Sequence, residues 1–154
     1  MAKKLKVLVV LNPAAQSDKV EMVKNRLRDL KATADFLLHE TEKKEDVMAS
    51  TREAITEGFD MVVAAGGDGT VSSVAGGLVD SGVPLCIVPI GTANVFAKVL
   101  EIPEDPIEAI ELITDAHAQR RIDLIQLDGH YYLLHIGVGL TPSVVSKADR
   151  SNKT

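Results

Sequence analysis

Lys6 to Leu11 is a near-continuous run of Val and Leu, the pattern of a strand buried on both faces. A polar break, NPAAQSD, follows. Apolar positions then recur at Val20, Val23, Leu27 and Leu30, spacings of three and four that predict a helix with one inward stripe. Asp18, with Glu21 three residues on, has the form of that helix's capping box. ATADFLLHE reads as a second strand. KKEDVMASTREAITEG reads as a second helix, with Val47, Thr51, Ala54 and Ile55 inward and Gly58 as its stop. FDMVVAA is a third strand, and Val71, Val74, Leu78 and Val79 stripe a third helix. PLCIVPI is a fourth strand, and GTANVFAKVL is a loop entering a short helix. EDPIEAIELI opens a further helix with Asp105 as cap, Pro106 at the first helical position and Glu108 closing the box.

Strand and helix alternate throughout this region, which predicts an α/β fold: a Rossmann-like parallel sheet with helices on both faces. Gly76 and Gly77 inside the third helix each cost about 1 kcal/mol relative to alanine, so a close approach of the helix backbone to the sheet or a ligand is expected there. From Arg120 the pattern changes. RRIDLIQLDGHYYLLHIGVG reads as two antiparallel strands around Asp128-Gly129, with Ile122, Leu124, Leu127, Tyr132, Leu134 and Ile136 forming one apolar face. The expected organisation is an α/β domain over 1–118, then a β-hairpin and polar tail over 119–154 that begin a second, β-rich unit. An uncovered hairpin would expose apolar side chains and strand edges, so residues 120–138 are expected to pair with a second copy or to fold back on their own sheet.

Composition narrows the class. Of 154 residues, 45% are hydrophobic and 25% charged, the profile of a globular chain, while aromatics at 3% leave the core to Val, Leu, Ile and Ala. Seventeen basic against 22 acidic side chains give a net charge of -5, which argues against a nucleic-acid partner. Lys3, Lys4, Lys6, Arg120 and Arg121 are the basic clusters, read as solvated strand ends. Cys86 is the single cysteine and sits in an apolar strand, so it reads as a small buried side chain. LKVLVVL is too short to span a bilayer, which makes a cytoplasmic location the default.

Ligands of parallel α/β sheets bind beyond the carboxyl ends of the strands. Three loops leave such ends: Asn12-Pro13-Ala14-Ala15, Gly66 to Thr70, and Gly91-Thr92-Ala93-Asn94. Glycines let backbone N–H groups approach an anion, and the helix after Gly69 turns its positive end to the same place. Together the loops predict a phosphate site, against the simpler reading of tight turns. The pattern GxxxxGK[ST] is absent, and GxGxxG fails because NPAAQS follows the first strand and Ser72 takes the third glycine's place. No zinc motif or GxSxG elbow is present. His39, His117, His130 and His135 are scattered without metal-ligand spacing, and the run Glu40, Glu42, Glu45, Asp46 with Lys43 and Lys44 reads as a solvated helix start.

GGDGT at 66–70, PIGTANVFAKVLEIP at 89–103, the Asn-Pro pair at 12–13 and RRIDLIQLDGHYYLLHIGVGL after Gln119 together resemble the catalytic domain of the diacylglycerol kinase family, which includes bacterial lipid kinases and sphingosine kinases. GGDG alone is shared with NAD kinases and 6-phosphofructokinases; the segment 89–103 favours the lipid kinases. The resemblance implies a phosphotransferase that moves the γ-phosphate of ATP to a lipid hydroxyl, with magnesium, in a cleft between two domains. It implies that Asn12 bounds the nucleotide site and that Thr41 contacts it. Gly66, Gly67, Asp68, Gly69, Thr70 and Val71 would cradle the phosphates, with Gly91, Thr92 and Asn94 completing the wall. Asp68, the loop's one carboxylate, would be the catalytic residue: it would hold magnesium, orient the nucleotide or help take the acceptor proton, and the structural alternative is a helix cap. No metal ligand is assigned. A lipid substrate would place the complete enzyme peripherally at a membrane surface.

The sequence departs from the family's pattern at four places. Ser72 and Ser73 stand where an Asn-Glu pair is common, Val95 replaces the acid of Asn-Asp-Phe-Ala, Thr141-Pro142 follow Gly139-Leu140 where an Asp is common, and Gln16 replaces a glycine. The resemblance also implies a β-sandwich domain with the lipid site beyond Thr154, so the 154-residue chain alone is expected to be inactive. Two alternatives stay open: a non-catalytic nucleotide-binding or assembly module, and an NAD kinase-like enzyme.

Overall fold

Residues 4–114 and 119–134 are described by the structure, a computed structural model. Strands β1 (Leu5–Leu11), β2 (Ala34–Glu40), β3 (Met61–Gly66) and β4 (Leu85–Pro89) form one parallel sheet in the order β2-β1-β3-β4. The helices are α1 (Ser17–Asp29), α2 (Val47–Ala54), α3 (Asp68–Gly77), α4 (Val95–Val99) and α5 (Pro106–Glu111), and β5 (Ile125–Leu127) pairs antiparallel with β6 (His130–Tyr132). Val7 to Leu11 of β1 are each at most 2% exposed, because both faces of the central strand are covered. Val7, Val9 and Leu11 pack with Val20, Val23 and Leu27 of α1 and Ala109 and Ile110 of α5. Leu8 and Val10 pack on the other face with Val71 and Val74 of α3 and Phe96 and Ala97 of α4. Each such side chain contributes roughly 1.5–3 kcal/mol by leaving water. Among the described residues, no helix is long and apolar enough to cross a membrane.

Local signals mostly act as expected. Asp105 caps α5 by accepting from the N–H groups of Ile107 and Glu108 at 2.8 and 3.1 Å. Gly58 stops the turn after α2 with φ +78. Two expectations are corrected. Asp18 and Glu21 form no capping box: α1 begins at Ser17 with Gln16 as N-cap and no side-chain cap bond, because the Asn12–Gln16 turn starts the helix earlier. Asp18 instead lies inside the first turn, where a carboxylate meets the positive helix end. The close approach expected at Gly76 and Gly77 is to α2 and the hairpin rather than to the parallel sheet. A Cβ on Gly77 would lie 2.7 Å from the Met48 carbonyl oxygen of α2, and one on Gly76 would lie 2.9 Å from the Tyr131 ring. The glycines let α3 sit tightly between α2 and the hairpin.

The hairpin turns at Asp128 and Gly129, both with positive φ (+49 and +77). It forms its own two-stranded sheet and docks on α3 through Tyr131, with Leu133 and Leu134 against the α3-side core. The expected inward face is corrected in part: Leu124, Tyr132 and Leu134 are half-buried, but Ile122 and Leu127 are 42% and 45% exposed, because the strands are short and face a helix. His117, His135, Ile136 and the departures at 139–142 lie outside the described residues, as do the 118/119 boundary's neighbours 115–118 and the tail after 134.

Candidate functional site

All four strands of the sheet are parallel, so the loops after β1, β3 and β4 leave from one edge, and hydrogen bonds join them. The Asn12 N–H donates to the Ala65 carbonyl at 2.9 Å, and its side-chain Nδ2 donates to Thr70 Oγ1 at 3.4 Å. The Ile90 N–H donates to the Gly66 carbonyl at 3.2 Å, and Gln16 Nε2 donates to the Gly91 carbonyl at 3.1 Å. The expected convergence of Asn12, Gly66 to Thr70 and Gly91 to Asn94 is thus present. Thr41 follows β2 on the same edge, its N–H donating to the Leu11 carbonyl at 2.9 Å. With β1 between β2 and β3, the end of β2 stands about 10 Å from that of β3 at the usual strand spacing.

The glycines of the turn have different reasons to be there. A Cβ on Gly66 would lie 2.5 Å from Thr70 Cβ, and one on Gly91 would lie 2.4 Å from Gly67 Cα, so these positions are closed by packing. Gly69 is exposed, lies in the first turn of α3, and would meet nothing within 4 Å with a Cβ added. The seam where Gly66, Gly67 and Asp68 meet Pro89 and Asn94 holds essentially no free volume (≈ 0 Å³), so an anion would rest on the loops from outside. Amides of a first helical turn lack intrahelical acceptors and favour an anion there. The Val71 amide is not available for this, since it donates to the Gly67 carbonyl at 3.1 Å, and the Val71 side chain is buried in the core. Thr92 is exposed, while Thr70 and Asn94 are half-buried.

Asp68 does not cap its own helix, whose N-cap is Gly67 with no side-chain bond. Its two carboxylate oxygens accept instead from the N–H groups of Val95 and Phe96, at 3.0 and 2.9 Å. These are the first amides of α4, in the neighbouring loop. The spacing of 27 and 28 residues hides this contact from any local sequence rule. Gln16's reach to Gly91 was equally hidden. Among the described residues, no group of three or more His, Cys, Asp or Glu could hold a metal ion.

A second polar cluster lies at the β2–α2 edge. Glu45 Oε1 meets His39 Nε2 at 2.6 Å and accepts from Ser50 Oγ at 2.5 Å, and Glu45 Oε2 accepts from the Glu42 N–H at 2.9 Å. Burial raises the Glu45 carboxyl, but hydrogen bonds from Ser50, Glu42 and His39 and the charge of His39 outweigh it and hold the group below its ordinary value. Asp46 caps α2 by accepting from the Ala49 N–H at 3.1 Å. The acidic run is therefore only partly a solvated helix start, because Glu45 turns inward. Ser50 and His39 both engage the same carboxylate, so the histidine does not activate the serine. Burial pushes the half-buried Cys86 thiol up to about 12, in keeping with a packing role.

Residues 6–127 match the family model described as the diacylglycerol kinase catalytic domain. The chain is 39% identical over 116 residues to a diacylglycerol kinase of Bacillus subtilis, covering 71% of this chain and 38% of that protein. It is 34% identical to an uncharacterized protein of Synechocystis, covering 94% of this chain and 36% of that one. A crystal structure of a diacylglycerol kinase from Bacillus anthracis superposes with a TM-score of 0.71 at 29% identity, covering 86% of this chain and 47% of that one. The chain thus spans less than half the length of these relatives. Its glycine turn, its converging loops and its match over residues 6–127 together show that the chain belongs to the diacylglycerol kinase catalytic-domain family.

Proposed function

We propose that this chain is the nucleotide-binding part of an ATP-dependent lipid kinase. The observation that carries the reading is the joined edge of three loops, with the α3 N-terminus and the open face of Gly69 at its centre. The triphosphate of ATP rests over Gly67 to Thr70, with Asn12 on one side and Thr92 and Asn94 on the other. Thr41, about two strand spacings away, lies within reach of the rest of the nucleotide. The oxygen of a lipid hydroxyl attacks the γ-phosphorus and releases its proton to solvent, the bond from that phosphorus to the β–γ bridging oxygen breaks, and ADP leaves with the electron pair. Such transfers depend on positioning and charge stabilisation. Asp68 belongs to this machinery as the one carboxylate of the glycine turn.

The family implies magnesium. The described residues offer a single carboxylate at these loops, with both oxygens already accepting amide hydrogens. They do not by themselves make a magnesium site, and no step is routed through the ion. The lipid acceptor, a cytoplasmic location and a peripheral position at a membrane surface follow from the lipid kinase reading. Residues 119–154 begin the unit that completes the cleft. Exposed Ile122, Ile125 and Leu127 form the face through which the isolated chain pairs with a second copy. Ser72, Ser73 and Val95 in place of polar and acidic residues favour the second reading, a module that binds nucleotide without turnover.

Calorimetry with ATP, together with phosphate transfer to diacylglycerol in mixed micelles, tests the reading. The 154-residue chain binds ATP and alone transfers little or no phosphate. No ATP binding overturns the nucleotide assignment. Robust transfer abolished by Asp68→Ala overturns the expected inactivity of the isolated chain. NAD phosphorylation in place of lipid phosphorylation would move the chain to the NAD kinase-like reading.

A further inference from the structure

Asn94 has a left-handed backbone (φ 48, ψ 44), uncommon for a residue with a side chain. Its side chain holds that conformation by closing on Gly91: Oδ1 accepts from the Gly91 N–H at 3.0 Å and Nδ2 donates to the Gly91 carbonyl at 2.8 Å. Asn94 is the N-cap residue of α4, yet its side chain, spent on Gly91, makes no cap bond. The first amides of α4 therefore need an acceptor from elsewhere, and Asp68 supplies both of its oxygens. Charge-assisted bonds of this kind are stronger than neutral ones. The carboxylate thereby ties the first turn of α3 to the loop that carries Thr92, across the contact of Gly67 with Gly91.

We propose that Asp68 is a positioning residue that acts through the Val95 and Phe96 amides, holding the Gly91–Asn94 wall against the glycine turn so that both face one triphosphate. The proposal rests on the nucleotide reading above. The clasp uses the main chain of residue 95, so it survives valine at that position. It also predicts a sign that simple electrostatics does not. Removing an anion from beside a polyanion's site should strengthen binding, whereas loss of the clasp weakens it.

The test uses the 154-residue chain with Asp68→Asn and Asp68→Ala. Asparagine keeps one acceptor and turns an N–H₂ donor towards the other amide, so it retains at most one of the two bonds. Amide hydrogen exchange without ligand is expected to quicken at least tenfold at Val95 and Phe96 in the alanine variant and less in the asparagine variant, with β3 unchanged as a check on folding. Affinity for inorganic triphosphate and for ATP is expected to fall about tenfold in the alanine variant, equally with and without magnesium. Unchanged exchange overturns the clasp. Faster exchange with unchanged or tighter binding overturns its role in the site. A loss seen only with magnesium means that Asp68 acts on the ion, which also overturns the proposal. If the wild-type chain binds neither triphosphate nor ATP, the nucleotide reading fails and takes the positioning role with it; exchange at Val95 and Phe96 still decides whether the clasp forms.

Discussion

Replacing Gly69 by alanine separates two reasons a glycine can stand in the 66–69 turn. Gly69 lies in the first turn of α3, has no positive φ, and would meet no atom within 4 Å with a Cβ added. The fold gains nothing from glycine there. Alanine favours a helix by up to about 1 kcal/mol over glycine, and roughly half of that is expected near a helix end. For a domain of this size, the melting temperature should rise by about 1–3 °C. The same methyl group, however, stands on the open face where the proposed triphosphate meets the turn. Moving a phosphate off its amides should cost at least about 1.4 kcal/mol, a tenfold loss of ATP affinity. Urea unfolding and calorimetry on the same protein measure the two effects. The reasoning predicts opposite signs: a more stable chain that binds ATP more weakly. A Gly69→Ala chain that binds ATP as tightly as wild type would refute the placement of the phosphates over this turn. One that unfolds more easily would refute the account of the backbone.

Three other substitutions or reagents probe neighbouring parts of the molecule. Gly91→Ala forces a Cβ to within 2.4 Å of Gly67 Cα, so urea unfolding should show a loss of at least about 1–3 kcal/mol, in contrast to Gly69→Ala. The Glu45 carboxyl is held below its ordinary value of 4.5, so it stabilises the fold above that value and the contribution is lost as pH falls through the lowered one. Glu45→Gln should therefore flatten the acid side of a stability-versus-pH curve, and an unchanged acid limb would show that the His39–Glu45–Ser50 cluster contributes nothing. Cys86, with its thiol pushed from 9.0 to about 12, should carry about a thousandfold less thiolate than a free thiol at pH 8, so iodoacetamide should label it only as the chain unfolds.

The sheet was legible because β1 and β3 are apolar on both faces, a pattern that few structures other than a covered parallel strand satisfy. Helix starts were legible only where one side chain decides them. Asp105, followed by proline, caps α5 as expected. Asp18 failed because the turn from Asn12 to Gln16 sets the start of α1 through backbone geometry, which no single residue announces. The hairpin's existence followed from Asp128-Gly129, since both residues can take positive φ. Its inward face followed only in part, because alternation identifies a face only when the strands are long enough to join a sheet, and here three-residue strands lean on a helix.

The site divides along the same line. Which loops meet was predictable, because parallel strands send their carboxyl ends to one edge and the three loops follow strands of one sheet. What each residue does there was not, because its partners come from other loops. Gly66, Gly67, Gly69 and Gly91 look alike in the sequence, yet Gly66 and Gly91 are closed by packing, Gly67 has room for a Cβ at ordinary contact distance, and Gly69 is open to solvent. Asp68 looks like a free carboxylate poised for chemistry, yet both of its oxygens hold amides 27 and 28 residues away. That geometry changes what the loss of an acid at position 95 means. The clasp draws on the main chain of residues 95 and 96, so valine there removes a charge from the loop without loosening its attachment to the glycine turn. On the proposed nucleotide reading, the wall formed by Gly91 to Asn94 is kept while the surrounding acids are varied, so ATP binding and phosphate transfer would be separable properties of this edge of the sheet.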